Sequence, residues 1–316
     1  MHRRTTPQAS GHRRGHRSMP TVAALTTATA LLLSACGGNG GEAKKDPAEE
    51  VRGKVPQAMR AAGVLKIGSD LNYAPVEFRG SDGKPQGLDP DIAEALGKVL
   101  NLRIEIVDTP FDKLLPSLEN KQFDVAMSAI SDTRQRREGT DDKGKPVTKG
   151  VDFVDYFIAG TSMLVQKGNP KNIRTLDDLC GMTVSLQQGT TQDEIIDRQV
   201  GACTRLGKPL QVHKFDSDGK AMADVVSGAA VAVFNDFPVA AYAAKTVENG
   251  NRFQVTGSQS ASSPYGIAVS KTNTEVRDMM AKAVDQLIRS GEYDKILAKW
   301  NVSAGAAQAA VINGGI

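Results

Sequence analysis

The sequence predicts an α/β protein of two lobes, and three observations support this fold class. Segments with the alternating pattern of strands and segments with the period of amphipathic helices follow one another from about residue 58 onward. Such alternation is typical of parallel sheets whose strands are joined by crossover helices. About 260 residues follow the N-terminal segment, which is more than one hydrophobic core usually organises.

The first 35 residues predict a secretory signal peptide. Five arginines and no acidic residue precede a short apolar run, TVAALTTATALLLSAC, that ends at Cys36. A positive head and a short apolar run are typical of such a signal, and the run is shorter than the roughly 20 residues of a membrane span. LSAC (33–36) resembles the lipobox of bacterial lipoproteins, which implies cleavage before Cys36 and lipidation of its sulfur. An ordinary signal peptide with a chance cysteine is the alternative.

The chain without this leader is close to neutral. Residues 1–35 hold five of the 39 basic residues and none of the 36 acidic ones, so 34 basic and 36 acidic residues remain and the net charge changes from +3 to −2. This balance gives no electrostatic reason to expect nucleic acid as a partner. Residues 36–57 are rich in Gly, Lys and Glu, a composition that predicts a flexible tether.

Histidine and cysteine usage limits the kinds of site. Only His213 remains after the leader, in LQVHKF, where we expect a strand surface residue. A single histidine argues against a His-rich metal site and a Ser-His-Asp hydrolase. We expect no metal and no cofactor. Cys180 and Cys203 form an even pair in an exported chain and predict a disulfide, with two buried thiols as the alternative. The bridge would close a loop of about 24 residues, which stabilises the fold by about 3 kcal/mol.

The first half of the chain predicts three strands and two helices. The strands are VLKIGSD (64–70), LRIEIVD (102–108) and FDVAMSA (123–129). The first helix is GLDPDIAEALGKVLN, with Asp89 as its N-cap and Pro90 in its first turn. The second helix is FDKLLPSLENK, whose leucines recur with helical spacing and face inward.

The second half repeats the alternation and ends in helices. The predicted order is strand MTVSLQQ, helix TTQDEIIDRQV, strand LQVHKF, a helix near 218–227, strand AVAVFND, helix PVAAYAAKT and strand RFQVTG. TEVRDMMAKAVDQLIRSG follows as an amphipathic helix. Its apolar stripe is Val276, Met280, Ala283 and Leu287, and Gly291 ends it. A last helix is predicted over EYDKILAKW.

Ligands of open α/β sheets bind beyond the carboxyl ends of the strands. Four loops lie at such ends: SDLNYAPVEF, SAISDTRQR, QQGTTQ and NDFP. Together they offer hydroxyls, arginines, acids and an aromatic ring. Arginine binds a carboxylate in bidentate fashion, backbone N–H groups at the helix start in GTT add donors, and an acid can hold an ammonium group. This chemistry predicts an amino acid as the ligand.

Eight segments stand in a characteristic order and spacing over roughly residues 58–302: GVLKIGSDLNYAPVEF, GLDPDIAEALGKVL, DVAMSAISDTRQR, VDFVDYF, VSLQQGTTQ, AVFNDFPVAAY, YGIAVSK and IRSGEYDKILAKW. Together they resemble the solute-binding proteins of polar amino acid ABC transporters, extracellular solute-binding protein family 3. The resemblance implies a periplasmic-binding-protein-like fold of type II. Lobe 1 would comprise residues 58–158 and 264–316, lobe 2 residues 159–263, and the two-segment hinge would lie near 157–161 and 260–264.

The resemblance also implies roles for residues that match the family pattern. Arg136 would clamp the ligand carboxylate, because it follows Ser131 by five residues and Thr133 by three, as in the family. Further ligand-binding residues of lobe 1 would be Ser128, Ser131 and Thr133. In lobe 2, Thr190 and Thr191 would supply N–H donors, and Asp236 would hold the ammonium group. Tyr73 and Phe111 would pack against the ligand side chain, and Asp70 would face its end and favour a donor such as a guanidinium. Arg134 and Arg137 are expected to be solvated surface charges.

The family implies binding by hinge closure and delivery to a membrane ABC permease, without catalysis. With the lipobox, it implies a monomer anchored by lipid to the outer face of the cytoplasmic membrane. Two alternatives stay open: an enzyme of the cyclohexadienyl dehydratase type, with Glu77 or Glu194 as the nearest candidate acid or base, and a sensory binding protein. The sequence does not name the amino acid or derivative.

One segment departs from the family. TDDKGKPVTKG (140–150) lies between Arg136 and the DF pair, where the family has only a few residues. It has no periodicity and predicts an exposed loop. It could be inert, border the cleft or contact the permease.

Overall fold

The computed structural model describes residues 47–141 and 143–315. The signal peptide, the lipobox with Cys36 and the tether up to residue 46 lie outside the described residues. In the described part, the strands are β1 (Val64–Ser69), β2 (Asn72–Tyr73), β3 (Glu77–Arg79), β4 (Pro85–Gln86), β5 (Arg103–Asp108), β6 (Val125–Ala126), β7 (Val151–Gln166), β8 (Thr183–Gln187), β9 (Gln211–Phe215), β10 (Ala232–Asp236), β11 (Phe253–Ser270) and β12 (Ala306–Ile312).

The helices lie between these strands as the alternation predicts. They are α1 (Pro47–Arg52), α2 (Gln57–Ala62), α3 (Leu88–Leu100), α4 (Leu114–Glu119), α5 (Arg134–Glu138), α6 (Thr191–Arg205), α7 (Asp218–Ser227), α8 (Phe237–Thr246), α9 (Thr274–Arg289) and α10 (Glu292–Trp300). The stripe of α9 is buried as predicted, with Met280 and Ala283 fully buried. No described helix is long and apolar enough to cross a membrane.

Nine of these strands form one mixed sheet in the order β5-β1-β6-β11-β7-β10-β8-β9, with β12 beside β7. The outer strands pair in parallel: β1 with β5 and β6, and β8 with β9 and β10. The central pairs β6–β11, β11–β7 and β7–β10 are antiparallel. The prediction of parallel strands is therefore confirmed for the two halves of the sheet, β5-β1-β6 and β10-β8-β9, and is wrong for its centre.

The long strands β7 and β11 run from one half of the sheet to the other. They pair from Val151↔Ser270 to Gln166↔Phe253, and register shifts interrupt the ladder around Ser260 and Ser263. The alternation rule predicted only RFQVTG within β11 and no strand over β7, because β7 is buried on both faces except near Ile158. Strands buried on both faces lose the alternation of apolar and polar residues.

Separate hydrophobic clusters fill the two faces of each half. In the first half, α3 and α9 cover one face through side chains such as Leu96 and Met280, and α4 covers the other. In the second half, α6 packs on one face through Ile196, and α7 and α8 pack on the other. Helices on both faces of a sheet give a three-layer arrangement within the α/β class that the sequence predicts.

Two local predictions in the N-terminal part are wrong. The tether does not extend to residue 57, because α1 is a helix and Val51 and Val55 are buried against the first-half core. Asp89 is not the N-cap of α3. The N-cap is Gly87, whose φ is 131°. A Cβ at Gly87 would lie 2.2 Å from the Val76 carbonyl oxygen, so the close approach of the two backbones requires glycine here.

Three further outcomes concern single residues and short segments. Cys180 and Cys203 form the predicted disulfide, with their Cα atoms 5.1 Å apart. His213 lies on β9, exposed and paired with Asp224, as expected of a strand surface residue. In the segment 123–129 only the two residues of β6 pair, and the chain then turns at Ala129 with φ 48°.

The C-terminal strand β12 was not predicted. It pairs with β7, and the tail beyond it reaches buried acids: the Gly314 N–H donates to Asp155 Oδ2 at 2.9 Å and the Gly315 N–H donates to Asp132 Oδ2 at 2.8 Å. Gly314 and Gly315 therefore lie directly behind the loop that carries Arg136.

Candidate functional site

A small cavity lies between the two halves of the sheet, at the carboxyl ends of β1, β6, β8 and β10. Its lining residues are Asp70, Tyr73, Glu77, Phe111, Ala129, Ser131, Arg136, Gln187, Thr190, Thr191, Gln192 and Asp236. Eight of the ten sequence-predicted ligand-binding residues are among them. Ser128 is fully buried behind the wall, and Thr133 lines a neighbouring pocket instead. The cavity volume is about 10 Å³, roughly the space of one water molecule.

Helix α5 places the guanidinium of Arg136 in the cavity wall. Thr133 caps this short helix, since its hydroxyl oxygen accepts a hydrogen bond from the Arg136 N–H at 3.3 Å. The guanidinium donates to the carbonyl oxygens of Ser131 at 2.9 Å and Gly189 at 3.1 Å, and lies 5.5 Å from the centre of the Phe111 ring. Arg136 thus contacts both halves of the sheet, and Thr133 acts on it only as a cap.

The neighbouring arginines differ from each other. Arg134 is exposed and pairs with Glu138, as expected of a solvated charge. Arg137 is not a solvated charge, because its side chain is only 18% exposed and pairs with the fully buried carboxylate of Asp132. Asp132 also accepts a hydrogen bond from the Gly315 N–H of the C-terminal tail. The ion pair and this bond together hold the loop in place on the side facing the tail. Burial favours such pairing, since a buried charge without a partner is strongly destabilising.

The start of α6 faces the cavity from the second half. Thr190 is its N-cap and accepts from the Asp193 N–H at 3.2 Å, while its own hydroxyl donates to the Gln187 carbonyl oxygen at 2.8 Å. Thr191 is the first residue of the helix. The N–H groups of a first helical turn have no partner within the helix, so they are available to an anion.

Asp236 ends β10 and lies on the second-half side of the cavity. Its carboxylate accepts from Gln192 Nε2 at 2.7 Å and from the Tyr265 hydroxyl at 2.8 Å. Its backbone N–H donates to the Tyr73 hydroxyl at 2.8 Å. Burial raises the pKa of Asp236 to about 6, and the hydrogen bonds from Tyr265, Tyr73 and Gln192 oppose this rise.

Asp70 follows β1 and lies on the first-half side. Its carboxylate accepts from Asn72 Nδ2 at 2.8 Å and, across the cavity, from Gln187 Nε2 at 2.7 Å. Its backbone N–H donates to the Ser128 hydroxyl at 2.9 Å. Burial raises the pKa of Asp70, and the two amide donors partly offset that rise. Ser128 therefore positions Asp70 from behind the wall.

Glu77 also lines the cavity, although the family pattern implies no ligand contact for it. The Ser128 hydroxyl donates to its Oε1 at 2.9 Å. Burial, followed by the charge of Asp89, raises the pKa of Glu77 well above its usual range, which favours the neutral acid. The Asp89 carboxylate in turn accepts from the Ala129 N–H at 3.0 Å and the Tyr156 hydroxyl at 2.7 Å, which replaces its predicted capping role.

Sequence reasoning missed three of the lining residues, Ala129, Gln187 and Gln192, and it named Glu77 only as a candidate acid or base of the enzyme alternative. The two glutamines belong to QQGTTQ, one of the four loops predicted to lie at the carboxyl ends of strands. A buried carboxylate needs hydrogen-bond donors, so asking which side chains could serve Asp70 and Asp236 would have pointed to them. Ala129 lines the cavity because of its left-handed backbone, for which its residue type gives no signal.

The inserted segment borders the cleft. Thr140, Asp141 and Gly144 line an open pocket of about 570 Å³ together with Glu194 and Arg198 of α6. A second pocket, of about 270 Å³, is lined by the same insertion through Thr140, Val147 and Thr148, and it adjoins Arg136 and Phe111. Of the three roles left open for this segment, its position favours bordering the cleft. Over residues 47–141 and 143–315, no three His, Cys, Asp or Glu side chains are grouped in a way that could hold a metal ion.

The sequence profile of the bacterial extracellular solute-binding proteins, family 3, matches residues 65–303. The chain is 29% identical over 271 residues to the arginine-binding protein ArgT of Corynebacterium glutamicum, which covers 85% of this chain and 84% of that protein. It is 31% identical over 287 residues to a probable histidine-binding protein of Neisseria gonorrhoeae, covering 90% of this chain and 96% of that one.

Two solved structures are similar in fold and sequence. An ancestral arginine-binding protein bound to arginine has a TM-score of 0.67 and 32% identity, and the match covers 75% of this chain and 98% of that chain. An ancestral amino acid-binding protein, described as a precursor of cyclohexadienyl dehydratase, has a TM-score of 0.66 and 32% identity, with 77% and 97% covered.

Proposed function

The chain belongs to the bacterial extracellular solute-binding proteins, family 3, and from this premise we propose that it captures an amino acid in the cavity and delivers it to a membrane permease. The observation that carries the proposal is the convergence of Arg136 and Asp236 on one cavity from the two halves of the sheet. Arg136 suits an α-carboxylate and Asp236 suits an α-ammonium group. The N–H groups at the start of α6 add donors for the carboxylate.

The charge balance of the cavity favours a cationic side chain. With Glu77 neutral, Arg136 contributes one positive charge, and Asp70 and Asp236 contribute two negative charges when ionised. A basic amino acid carries a net positive charge and makes the closed site neutral, whereas a neutral amino acid leaves one negative charge uncompensated. Uncompensated buried charge is unfavourable. The names of the arginine- and histidine-binding relatives agree with this ligand class.

We propose that residues 58–158 with 264–316 form lobe 1, that residues 159–263 form lobe 2, and that the hinge lies near 157–161 and 260–264. In support, β7 and β11 cross between the halves there, and their ladder is irregular around Ser260 and Ser263. The cavity is too small for an amino acid, so binding requires the lobes to separate and then to close on the ligand. Contacts from both lobes would favour the closed state by population shift.

The experiment is a thermal-shift and calorimetry screen of the chain from residue 43 onward, unfolded and refolded to remove carried ligand, against the 20 L-amino acids. We expect L-arginine, L-lysine or L-histidine to give the largest shift. At 100 times the dissociation constant, a ligand adds about 2.7 kcal/mol to the free energy of unfolding. If no amino acid changes the melting temperature, the proposal is wrong.

We further propose that the chain is a monomeric lipoprotein anchored through Cys36 to the outer face of the cytoplasmic membrane. The support is the LSAC sequence after a short apolar run. Replacing the cysteine (Cys36→Ser) should release the protein from the membrane fraction, with wild-type fractionation as the control. Retention of the variant on the membrane would contradict the anchor.

An enzyme on the same fold is a second candidate, and one observation favours it. Glu77 lines the cavity, and its raised pKa favours the neutral acid, which could donate a proton; one similar structure is an ancestral amino acid-binding protein described as a precursor of cyclohexadienyl dehydratase. Glu194, the other candidate acid, borders the outer pockets and not the cavity. We propose binding without turnover; product formation from prephenate or arogenate, lost in Glu77→Gln, would support the enzyme instead.

A further inference from the structure

Asp70 already has hydrogen-bond donors for both of its carboxylate oxygens within the chain. Asn72 donates to Oδ1 at 2.8 Å and belongs to the same loop, so this bond does not depend on the other half of the sheet. Gln187 donates to Oδ2 at 2.7 Å from the end of β8, on the opposite side of the cavity. Asp70 and Gln187 are both buried, with exposed fractions of 3% and 5%.

The side chain of Gln187 is held in place by its own surroundings. Its Nε2 also donates to the Asp216 carbonyl oxygen at 3.1 Å, and its backbone carbonyl accepts from the Thr190 hydroxyl. The amide therefore stands at a fixed point of the wall, with one hydrogen-bond partner in its own half and one across the cavity. Displacing it from Asp70 leaves the bond to Asp216 in place.

A ligand side chain that approaches Asp70 Oδ2 from the cavity meets this amide first, because Gln187 lines the same cavity and already donates to that oxygen. A cationic side chain can replace Gln187 as the donor to Oδ2. A ligand whose side chain is apolar or too short leaves that oxygen to Gln187. A buried carboxylate that loses a donor is destabilised, and a hydrogen bond to a charged acceptor is stronger than one between neutral groups.

We propose that Gln187 determines how strictly the site selects a cationic side chain. When the side chain of the bound amino acid has no cation, the Gln187 amide donates to Asp70 Oδ2. When the ligand has a cationic side chain, that side chain replaces the amide as the donor. This inference rests on the proposed function, because it assumes that the ligand lies in the cavity with its side chain toward Asp70.

The effect can be measured without knowing how open the ligand-free protein is. The ratio of the affinities for two ligands depends only on the two bound states, since the free protein is common to both. Removing the Gln187 amide weakens the complex with a neutral ligand, which uses the Gln187–Asp70 bond, and spares the complex with a cationic ligand, which does not.

The test compares L-arginine with L-norvaline, whose side chain ends before the guanidinium would begin. Dissociation constants are measured for the wild type, Gln187→Leu and Gln187→Met by calorimetry, or by displacement of arginine for weak binding. The work is done at pH 8 to keep Asp70 ionised. Both variants should raise the affinity ratio of arginine to norvaline about tenfold, a change of about 1.4 kcal/mol. Retained arginine binding shows that each variant is folded.

Gln188→Leu is the matched control. Gln188 is the next residue and also crosses between the halves, since its Nε2 donates to Asp112 Oδ2 at 3.3 Å, but it does not line the cavity. Its replacement should leave the ratio unchanged. An unchanged or lowered ratio in both Gln187 variants, or a wild type that binds arginine and not norvaline, overturns the inference. A wild type that binds no amino acid overturns the proposed function instead.

Discussion

At the scale of single residues, the two cavity carboxylates that the proposal keeps ionised are held by neutral donors. The donors are Asn72 and Gln187 for Asp70, and Gln192 and Tyr265 for Asp236. Neutral donors satisfy the oxygens without cancelling the charge, so the negative potential of the site remains. Arg136 hydrogen-bonds backbone carbonyls, which likewise leaves its charge available to a ligand.

Replacing Arg136 by alanine should weaken amino acid binding by about 2–4 kcal/mol, because the ligand carboxylate would lose its charged partner in a buried site. Calorimetry with L-arginine measures the change. Arg134→Ala is the control, since Arg134 lies two residues away and is exposed. Equal affinity in Arg136→Ala and the wild type would rule out the clamp.

Binding of L-arginine should strengthen as the pH rises from 5 to 7. Burial raises the pKa of Asp236 to about 6, and only its ionised form attracts the ligand ammonium. The affinity at pH 5 should be roughly tenfold lower than at pH 7, because about one tenth of the carboxyl is then ionised. The stability of the ligand-free protein depends on pH in the opposite direction. The raised pKa of Asp236 favours the folded state at low pH, and this contribution to the free energy of unfolding is lost as the pH rises past 6.

Calorimetry at pH 5, 6 and 7 checks this dependence, and Asp236→Asn, which has no carboxyl at this position, should bind more weakly and with a smaller change across the range. Burial also raises the pKa of Asp70, so its titration adds in the same direction. A constant affinity across this range would contradict the ammonium assignment to Asp236.

At the scale of elements, the sequence predicted those whose signals are local. The helices α3, α6 and α9 and the short parallel strands follow from periodicity and helix-start residues. The crossing strands β7 and β11, the C-terminal strand β12 and helix α1 depend on partners far along the chain, which periodicity does not report. The left-handed turn at Ala129 and the buried pair of Arg137 with Asp132 are likewise set by tertiary contacts.

The disulfide ties the segment before β8 to the C-terminal end of α6, while the cavity lies at the opposite end of that helix. Replacing both cysteines (Cys180→Ser with Cys203→Ser) should lower the free energy of unfolding by about 3 kcal/mol, because the bridged residues are 23 apart. Denaturant titration measures this loss. Arginine affinity, measured in parallel, should stay unchanged, and a large loss of affinity would mean that the bridge shapes the site.

At the scale of the whole molecule, residues from both halves of the sheet line the cavity. The sequence therefore predicts the lining residues of each loop better than the contacts made between loops. Strand-end loops and the family resemblance predicted eight lining residues, since each loop has its own signal. Two glutamines were missed because their roles depend on tertiary contacts: Gln187 donates across the cavity to Asp70, and Gln192 donates to Asp236 within the second half.

Ligand binding should make the molecule more compact. Small-angle scattering should give a smaller radius of gyration with saturating L-arginine than without it, because contacts from both lobes favour the closed state. Arg136→Ala at the same arginine concentration should keep the larger value. An identical radius with and without ligand in the wild type would contradict hinge closure.

The sheet order also has a consequence for the sequence of events during synthesis. Ala126 of β6 pairs with Ala268 of β11, and β7 pairs with β11 and with β12 near the C-terminus. A nascent chain that has emerged only to residue 250 therefore contains β1, β5 and β6 but not β11. The edge of β6 that β11 covers in the folded protein is then open. Pairing between distant segments is slow, and open edges invite association with other chains. The half of the sheet that is made first is thus completed last, and until then its edge beside β6 is open to pairing with other chains.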